Sequence, residues 1–262
     1  MAELEGSHWW FSGSRRVILD QARRALAGGP GRVLDLGCGT GLTARLLREL
    51  GADVVGLDRS SVGLRFARQR AAGAQFVRGD ATRLPFATGT FDLVCALDLI
   101  EHVADDVGVL TEIRRVLHPG GRLLLTVPAF PELWSEHDVA LGHQRRYRSA
   151  ALRRQVTAAG LVVERLTHYN ALLFPAIAAV RLAHRAGLRL AGRPRPDAAA
   201  PPAAAPDGER GARCDLQPVP EPLNGMLARL FGAERHLLRR HDLPWGLSLL
   251  LLAHPAAPAA GP

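Results

Sequence analysis

Val33-Leu34-Asp35-Leu36-Gly37-Cys38-Gly39-Thr40-Gly41 decides how the rest of the chain is read. The apolar run over residues 32–36 enters a turn with glycine at 37, 39 and 41, where the missing side chains let the backbone bend tightly and approach a ligand closely. Leu42, Leu46, Leu47 and Leu50 then share one face of a helix. Strand, glycine turn and helix in this order open a doubly wound sheet, whose ligand lies at the carboxyl ends of the strands. The expected fold is α/β: a Rossmann-like, seven-stranded, mostly parallel sheet with helices on both faces and a helical insertion between the last two strands.

Many nucleotide-binding enzymes share that opening, and two of their variants are excluded. A dinucleotide site spaces its glycines G-x-G-x-x-G to seat an anionic pyrophosphate on a helix N-terminus, whereas here the third glycine comes one residue early and Leu42 takes the later position. A phosphate loop needs a lysine, and the chain contains none. Beyond the turn the strand ends are acidic. Two further apolar runs end in single acids, Asp58 and Asp80, so Asp35, Asp58 and Asp80 would surround one ligand with negative charge. Such a site repels an anionic cofactor and favours a cation.

The segment resembles the class I S-adenosylmethionine-dependent methyltransferases, most of all the group that includes quinone-biosynthesis enzymes. S-adenosylmethionine, with its sulfonium and ammonium, is the cofactor that the resemblance implies. By that resemblance Asp35, Gly37, Gly39 and Gly41 line the methionine end, Asp58 takes both ribose hydroxyls, Asp80 accepts from the adenine amino group, and the backbone N–H of Ala81 faces the ring. Residues 91–97, ending in Leu97, match the family's fourth strand, and residues 117–127, with Pro119-Gly120-Gly121-Arg122, match the turn into the fifth. The match covers residues 33–128, under half of the chain.

The bulk properties fit one enzyme domain. At 262 residues and 47% hydrophobic, the chain can bury a full core. All 33 basic residues are arginine and they are spread along the whole sequence, so the net charge of +8 is weak evidence for nucleic acid, and no nucleic-acid partner is expected. Cys38, Cys95 and Cys214 form neither a disulfide framework nor a metal spacing, which points to a reducing compartment. No secretory signal is read at the start, and the most apolar stretch, residues 171–191, is broken by Arg181, His184, Arg185 and Arg189. The expected location is cytoplasmic, with membrane contact limited to a peripheral one.

Four regions are expected. Residues 1–30 carry His8-Trp9-Trp10-Phe11 ahead of a helix over 15–27; consecutive aromatics cannot all face one core, so they are read either as a lid over cofactor or substrate or as a seal on the sheet edge. Residues 31–170 form the S-adenosylmethionine-binding core, with strands at 32–36, 54–57, 75–78, 91–96, 122–127 and 161–166. Residues 171–241 form the helical insertion, with helices at 171–191 and 223–240 around a Pro/Ala-rich stretch, 193–222, that has too few apolar residues to offset its ordering entropy. Residues 242–262 carry a last strand at 248–253 and a tail. Leu173, Ile177, Val180 and His184 follow one helical stripe, and Leu223, Leu227, Leu230 and Leu237 another, with arginines on other faces. The two helices either pack on the sheet or on each other, or make a greasy substrate entrance or a rest on an anionic membrane surface.

The acceptor side is less legible, because methyl transfer from a sulfonium asks chiefly for alignment and dryness. Asp98-Leu99-Ile100-Glu101-His102 comes directly after the fourth strand; His102 suits proton removal at neutral pH, though the resemblance favours a part in shaping the cofactor pocket. Residues 128–148 leave the fifth strand and hold His137, Asp138, His143, Arg145, Arg146 and Tyr147. His143 is read as the base for a hydroxyl, with Tyr147 and Arg146 orienting the acceptor; in the contrary reading Arg145 and Arg146 pair with Glu132, Glu136 or Asp138 and hold the loop shut. His137, Asp138 and His143 fit no familiar metal template, and no metal is expected. The expected activity is methyl transfer to an oxygen or carbon of a small or lipid-like acceptor. The alternatives are a methyltransferase acting on RNA or protein, and an S-adenosylmethionine-binding accessory protein without turnover.

Overall fold

The computed structural model describes residues 2–26, 29, 31–190 and 219–257. Seven strands and nine α-helices are found among them, in the order α1 (Ala2–Ser7), α2 (Trp9–Ala25), β1 (Arg32–Leu36), α3 (Leu42–Glu49), β2 (Asp53–Asp58), α4 (Ser61–Arg70), β3 (Gln75–Arg78), β4 (Phe91–Leu97), α5 (Asp106–Val116), β5 (Leu117–Pro128), α6 (Glu136–Leu141), α7 (Ser149–Ala158), β6 (Leu161–Tyr169), α8 (Phe174–Leu190), α9 (Glu221–Leu238) and β7 (Ser248–Pro255). The chain divides into two compact units, one of Met1–Val17, Pro128–Arg148 and Thr167–Leu249, the other of Ile18–Val127, Ser149–Leu166 and Leu250–Pro262. The boundaries differ from those read in the sequence: residues 128–148 group with the helical insertion, not with the core. Most of the Pro/Ala-rich stretch, and Cys214, lie outside the described residues.

The second unit carries the sheet, with strand order β3-β2-β1-β4-β5-β7-β6. The pairs β1–β2, β1–β4, β2–β3 and β4–β5 are parallel, so the expected seven-stranded, mostly parallel α/β sheet is what forms. Val33, Leu34, Val54, Leu57, Leu93 and Val94 are buried along its central strands, as continuous apolar runs in a parallel sheet should be. Two helix starts are capped by side chains. Ser60 accepts the Gly63 N–H at 3.1 Å ahead of α4, and Asp105 accepts the Gly108 N–H at 2.8 Å ahead of α5.

Pro119-Gly120 does not end a helix. α5 stops at Val116 and β5 begins at once, and the proline and glycines are taken up as an irregularity: Phe91 pairs with Leu117, but Leu93 pairs with Arg122. Gly121 fits there because a Cβ would stand 2.8 Å from the Phe91 carbonyl oxygen.

In the first unit, α2 begins at Trp9, six residues ahead of its expected start, so the aromatic run is itself helical. Asn224 of α9 makes this start possible: its side chain accepts the Trp9 N–H at 2.7 Å and donates to the Ser7 carbonyl at 2.9 Å, satisfying one end group of each flanking helix. Trp9 and Trp10 meet Phe231 of α9 at ring-centre distances of 6.4 and 5.7 Å. The helices approach closely because Gly13 and Gly232 have no side chains; a Cβ on Gly13 would lie 2.5 Å from the Phe231 ring, and one on Gly232 2.6 Å from Arg16.

The apolar stripes of α8 and α9 are only partly buried. α9 turns Asn224, Ala228, Phe231, Glu234 and Leu238 inward and leaves Leu223, Leu230 and Leu237 exposed. α8 packs through Ala178, with Phe174 and Ile177 beside it, against Leu133 and Leu247, while Val180 is exposed. Small and polar residues win the inner face because they allow close backbone approach and, at Asn224 and Glu234, supply hydrogen bonds; Glu234 accepts the Leu172 N–H at 2.8 Å just ahead of α8.

Gly13→Leu should therefore force α2 and α9 apart and cost about 2 kcal/mol. Thermal unfolding should show the midpoint lowered by roughly 4–8 °C. An unchanged midpoint would show that the two helices do not depend on this approach.

Candidate active site

The glycine turn between β1 and α3 is built from positive backbone angles, φ +78° at Gly37, +51° at Gly39 and +79° at Gly41, which side-chain-bearing residues rarely adopt. The space around the three glycines differs. A Cβ on Gly37 would strike Leu99 at 2.8 Å and one on Gly41 would strike Ala67 at 2.7 Å, whereas Gly39 faces open space. The space beside Gly39 fits a backbone that a ligand must approach closely.

The turn is tied to the end of β2. Gly37 and Cys38 donate their N–H groups to the Leu57 carbonyl at 2.8 and 3.1 Å. Asp58 accepts the Gly39 N–H at 2.8 Å through Oδ2 and the Ser60 N–H at 2.7 Å through Oδ1. Each oxygen has a further lone pair, so this carboxylate can anchor the turn and still receive a pair of hydroxyls.

Asp35 is buried in β1, opposite Gly56 on one side and Cys95 on the other. Burial, and after it the negative field of Asp35 and Asp58, pushes the Cys38 thiol well above its ordinary value. The Cys95 thiol is raised by burial and by Asp35. Both thiols are therefore neutral packing groups, and their shifts register two carboxylates acting on the same turn. Asp80, exposed just past β3, accepts from the Thr82 hydroxyl at 2.7 Å and the Thr82 N–H at 2.8 Å; these bonds hold its carboxyl below the usual range. Asp80 is thus a fixed negative charge at neutral pH, with half-buried Ala81 beside it. The residues present fit a cationic sulfur nucleoside.

Leu97 ends β4, and Asp98 after it has φ +49°, an angle uncommon without glycine but one that aspartate tolerates. Thr126 of β5 fixes it: the Asp98 N–H donates to the Thr126 carbonyl at 3.0 Å, and the Thr126 hydroxyl donates to Asp98 Oδ1 at 3.1 Å. This bend sends Leu99 over Gly37 and leads into a short 3-10 turn, Ile100–His102. Glu101 is buried and His102 half-buried. The sequence points in this stretch to His102 alone; the bend and the part of Leu99 have one available signal, an aspartate directly after a strand.

His143 and Tyr147 belong to the first unit. Asp138 is their centre. It is fully buried and accepts from Ser135 N–H at 2.9 Å, His143 Nδ1 at 2.9 Å and Arg146 Nε at 2.7 Å. Burial alone would raise its carboxyl, but the His143 bond and the Arg146 guanidinium prevail and hold it well below the usual carboxylate range. An ionised Asp138 can only accept, so His143 carries its proton on Nδ1. Arg146 also donates to the Ala129 carbonyl at 2.8 Å, so its side chain serves the loop, and Arg148 pairs with Glu132. Of the two readings of this arginine, the loop-holding one is what the structure displays. Tyr147 is buried, and its backbone pairs with Pro128 and Phe130 at 2.8 and 3.0 Å.

Burial, reinforced by Arg181, lowers the His137 pKa to about 4. The folded state holds this imidazole neutral, whereas an unfolded one titrates near ~6.5. Its contribution to stability is thus complete above that value and is lost as pH falls toward 4. The unfolding midpoint should drop between pH 6.5 and 4, and His137→Gln should make the slope shallower; identical slopes in the two proteins would remove this account.

Residues 34–125 match the family model described as a methyltransferase domain. A demethylmenaquinone methyltransferase of Beutenbergia cavernae is 41% identical over 129 residues, covering 49% of this chain and 52% of the relative. The chain spans about half the length of the curated relatives it matches first. Among solved structures, a chain in the complex between the Haloferax volcanii Trm112 methyltransferase activator and a methyltransferase is similar with a TM-score of 0.57 and 21% identity, over 99% of this chain and 94% of that one. An S-adenosylmethionine-dependent methyltransferase from Mesorhizobium loti is similar with a TM-score of 0.55 and 18% identity, over 89% and 96%. At such identities the two structures speak for the fold alone. Residues 34–125, which hold β1 to β4 and most of β5, are thus similar to a methyltransferase domain.

Proposed function

We propose that the chain binds S-adenosylmethionine at the carboxyl ends of β1, β2 and β3 and transfers its methyl group to an oxygen or carbon of a small, lipid-like acceptor of the quinone class. The observation that carries the cofactor half is the Asp58 carboxylate, which holds Gly39 and Ser60 by their N–H groups and retains acceptor capacity for a ribose. Asp35 would face the cationic methionine end with Gly37, Gly39 and Gly41, and Asp80 with Ala81 would meet the adenine. Leu97 and His102 would close the pocket. The acceptor class rests on the names of the relatives, and the choice of oxygen or carbon on the chemistry of such rings.

S-adenosylmethionine supplies a methyl group already activated by its sulfonium. What this chain must add is alignment, exclusion of water and, for a hydroxyl acceptor, removal of a proton. His143 is the proposed base: Asp138 holds its Nδ1–H, which leaves proton acceptance to Nε2. Tyr147 is proposed to orient the acceptor.

Isothermal titration should show S-adenosylhomocysteine binding in the micromolar range, and Asp58→Ala should weaken it at least tenfold, about 1.4 kcal/mol. Tighter binding of a nicotinamide dinucleotide would overturn the cofactor assignment. Incubation with S-adenosylmethionine and a demethylated quinone should release S-adenosylhomocysteine; binding without release would leave an accessory protein. His143→Gln should lower kcat by 100-fold or more, within the range for a lost general base, with cofactor affinity unchanged. An unchanged kcat would take the proton-transfer role away from His143.

A further inference from the structure

α9 has two apolar faces, and among the described residues only one of them is packed inside the protein. The inner face, through Ala228, Phe231 and Leu238, is buried in the first unit. On the outer face Leu223, Met226, Leu230 and Leu237 recur at helical spacing and are 43%, 57%, 40% and 42% exposed. Exposed apolar side chains standing singly are ordinary, but four in register along one helix form a continuous stripe. Arg229 and His236 of α9, with Arg240 just past its end, are also exposed and border the stripe on one side. The helix has two acids, and neither lies in the stripe: Glu221 stands exposed at its first position and Glu234 is buried.

We propose that this outer face of α9 is a docking surface for an anionic lipid bilayer, with the helix lying in the interface plane. The charge pattern selects this occupant. A second copy of the chain, pairing α9 with α9 along the stripe, would gather Arg229 and Arg240 of both copies beside it, and the one exposed acid of the helix, Glu221, stands off the stripe. An anionic surface neutralises the two arginines while the leucines and the methionine enter the acyl boundary. No helix among the described residues is long and apolar enough to cross a membrane, so the contact is peripheral. Arginine suits the border, because its long stem lies along apolar surface while its head stays with the lipid phosphates. The proposal does not rest on methyl transfer, since nothing in it uses the cofactor site.

The test is co-sedimentation of the full chain with vesicles of phosphatidylglycerol and phosphatidylcholine, and with vesicles of phosphatidylcholine alone. The chain should partition onto the anionic vesicles at least tenfold more strongly than onto the neutral ones, and salt should weaken the binding by screening. The double variant Met226→Glu with Leu230→Glu should lose at least tenfold in partitioning, and Arg229→Glu with Arg240→Glu should lose the preference for anionic lipid. Both doubles replace exposed residues; an unchanged unfolding midpoint and unchanged S-adenosylhomocysteine affinity will show that the fold and the cofactor site are intact. Equal sedimentation with both vesicle types, or full binding by either double variant, would overturn the proposal. So would a dimer in light scattering that Met226→Glu with Leu230→Glu converts to monomer, since the face would then be an interface between copies. Failure of vesicle binding with intact S-adenosylhomocysteine binding leaves the proposed methyl transfer untouched.

Discussion

The Asp58 carboxylate accepts the Gly39 N–H with one oxygen and the Ser60 N–H with the other, and by doing so joins the glycine turn after β1 to the start of α4. Three backbone elements thereby share one fixed point. The Leu57 carbonyl adds the N–H groups of Gly37 and Cys38, so the turn cannot open without breaking bonds at the end of β2. Its left-handed angles demand glycine, and the neighbours Leu99 and Ala67 reject a Cβ at 37 and 41 on contact alone. A carboxylate so placed holds backbone donors and keeps lone pairs for a ligand, which explains why an acid, and no amide or hydroxyl, suits this strand end. An amide could offer one acceptor oxygen where two are used.

The first unit solves a similar problem in a drier place. Asp138 is fully buried, yet it stays charged because Arg146 and His143 meet it directly and Ser135 completes its shell. Removing one partner of such a group leaves a buried charge uncompensated, which costs about 3–5 kcal/mol, so the cluster fixes the geometry of residues 135–146 more firmly than any surface pair could. The exposed Arg148–Glu132 pair nearby is worth little by comparison. Rigidity at His143 is what a base requires if its acceptor nitrogen is to be aimed at a substrate.

How legible the protein is in its sequence depends on what each element uses to fold. β1, β2 and β4 are apolar runs that end in or just before glycine or acid, and a parallel strand buried on both faces carries that signature. The glycine turn is legible because its angles leave no other residue. The start of α2 is not: three consecutive aromatics mask helical periodicity, and the group that caps the helix, Asn224, lies 215 residues away. The inner face of α9 is hidden for a related reason, since Asn224, Ala228, Gly232 and Glu234 rank low in any hydrophobic pattern and are buried by virtue of small size or hydrogen bonds. Arg146 has three acids within reach of its loop, and only the folded chain selects Asp138.

Arginine content of this kind carries two meanings that sequence alone merges. Arg146 is buried and neutralised, and Arg115 is pinned to Glu112 at 2.7 Å while its other nitrogens reach the carbonyls of Phe86 and Leu84. These guanidiniums are cross-links, using several donors in a planar fork that an ammonium could not replace. Arg229 on the outer face of α9 and Arg240 just past its end are exposed beside leucine and methionine, where a guanidinium acts through charge toward whatever lies outside. The net charge of +8 is a sum over both kinds. Only the second kind speaks of a partner, because a guanidinium already met by a carboxylate and two carbonyls has no field left to offer at a distance.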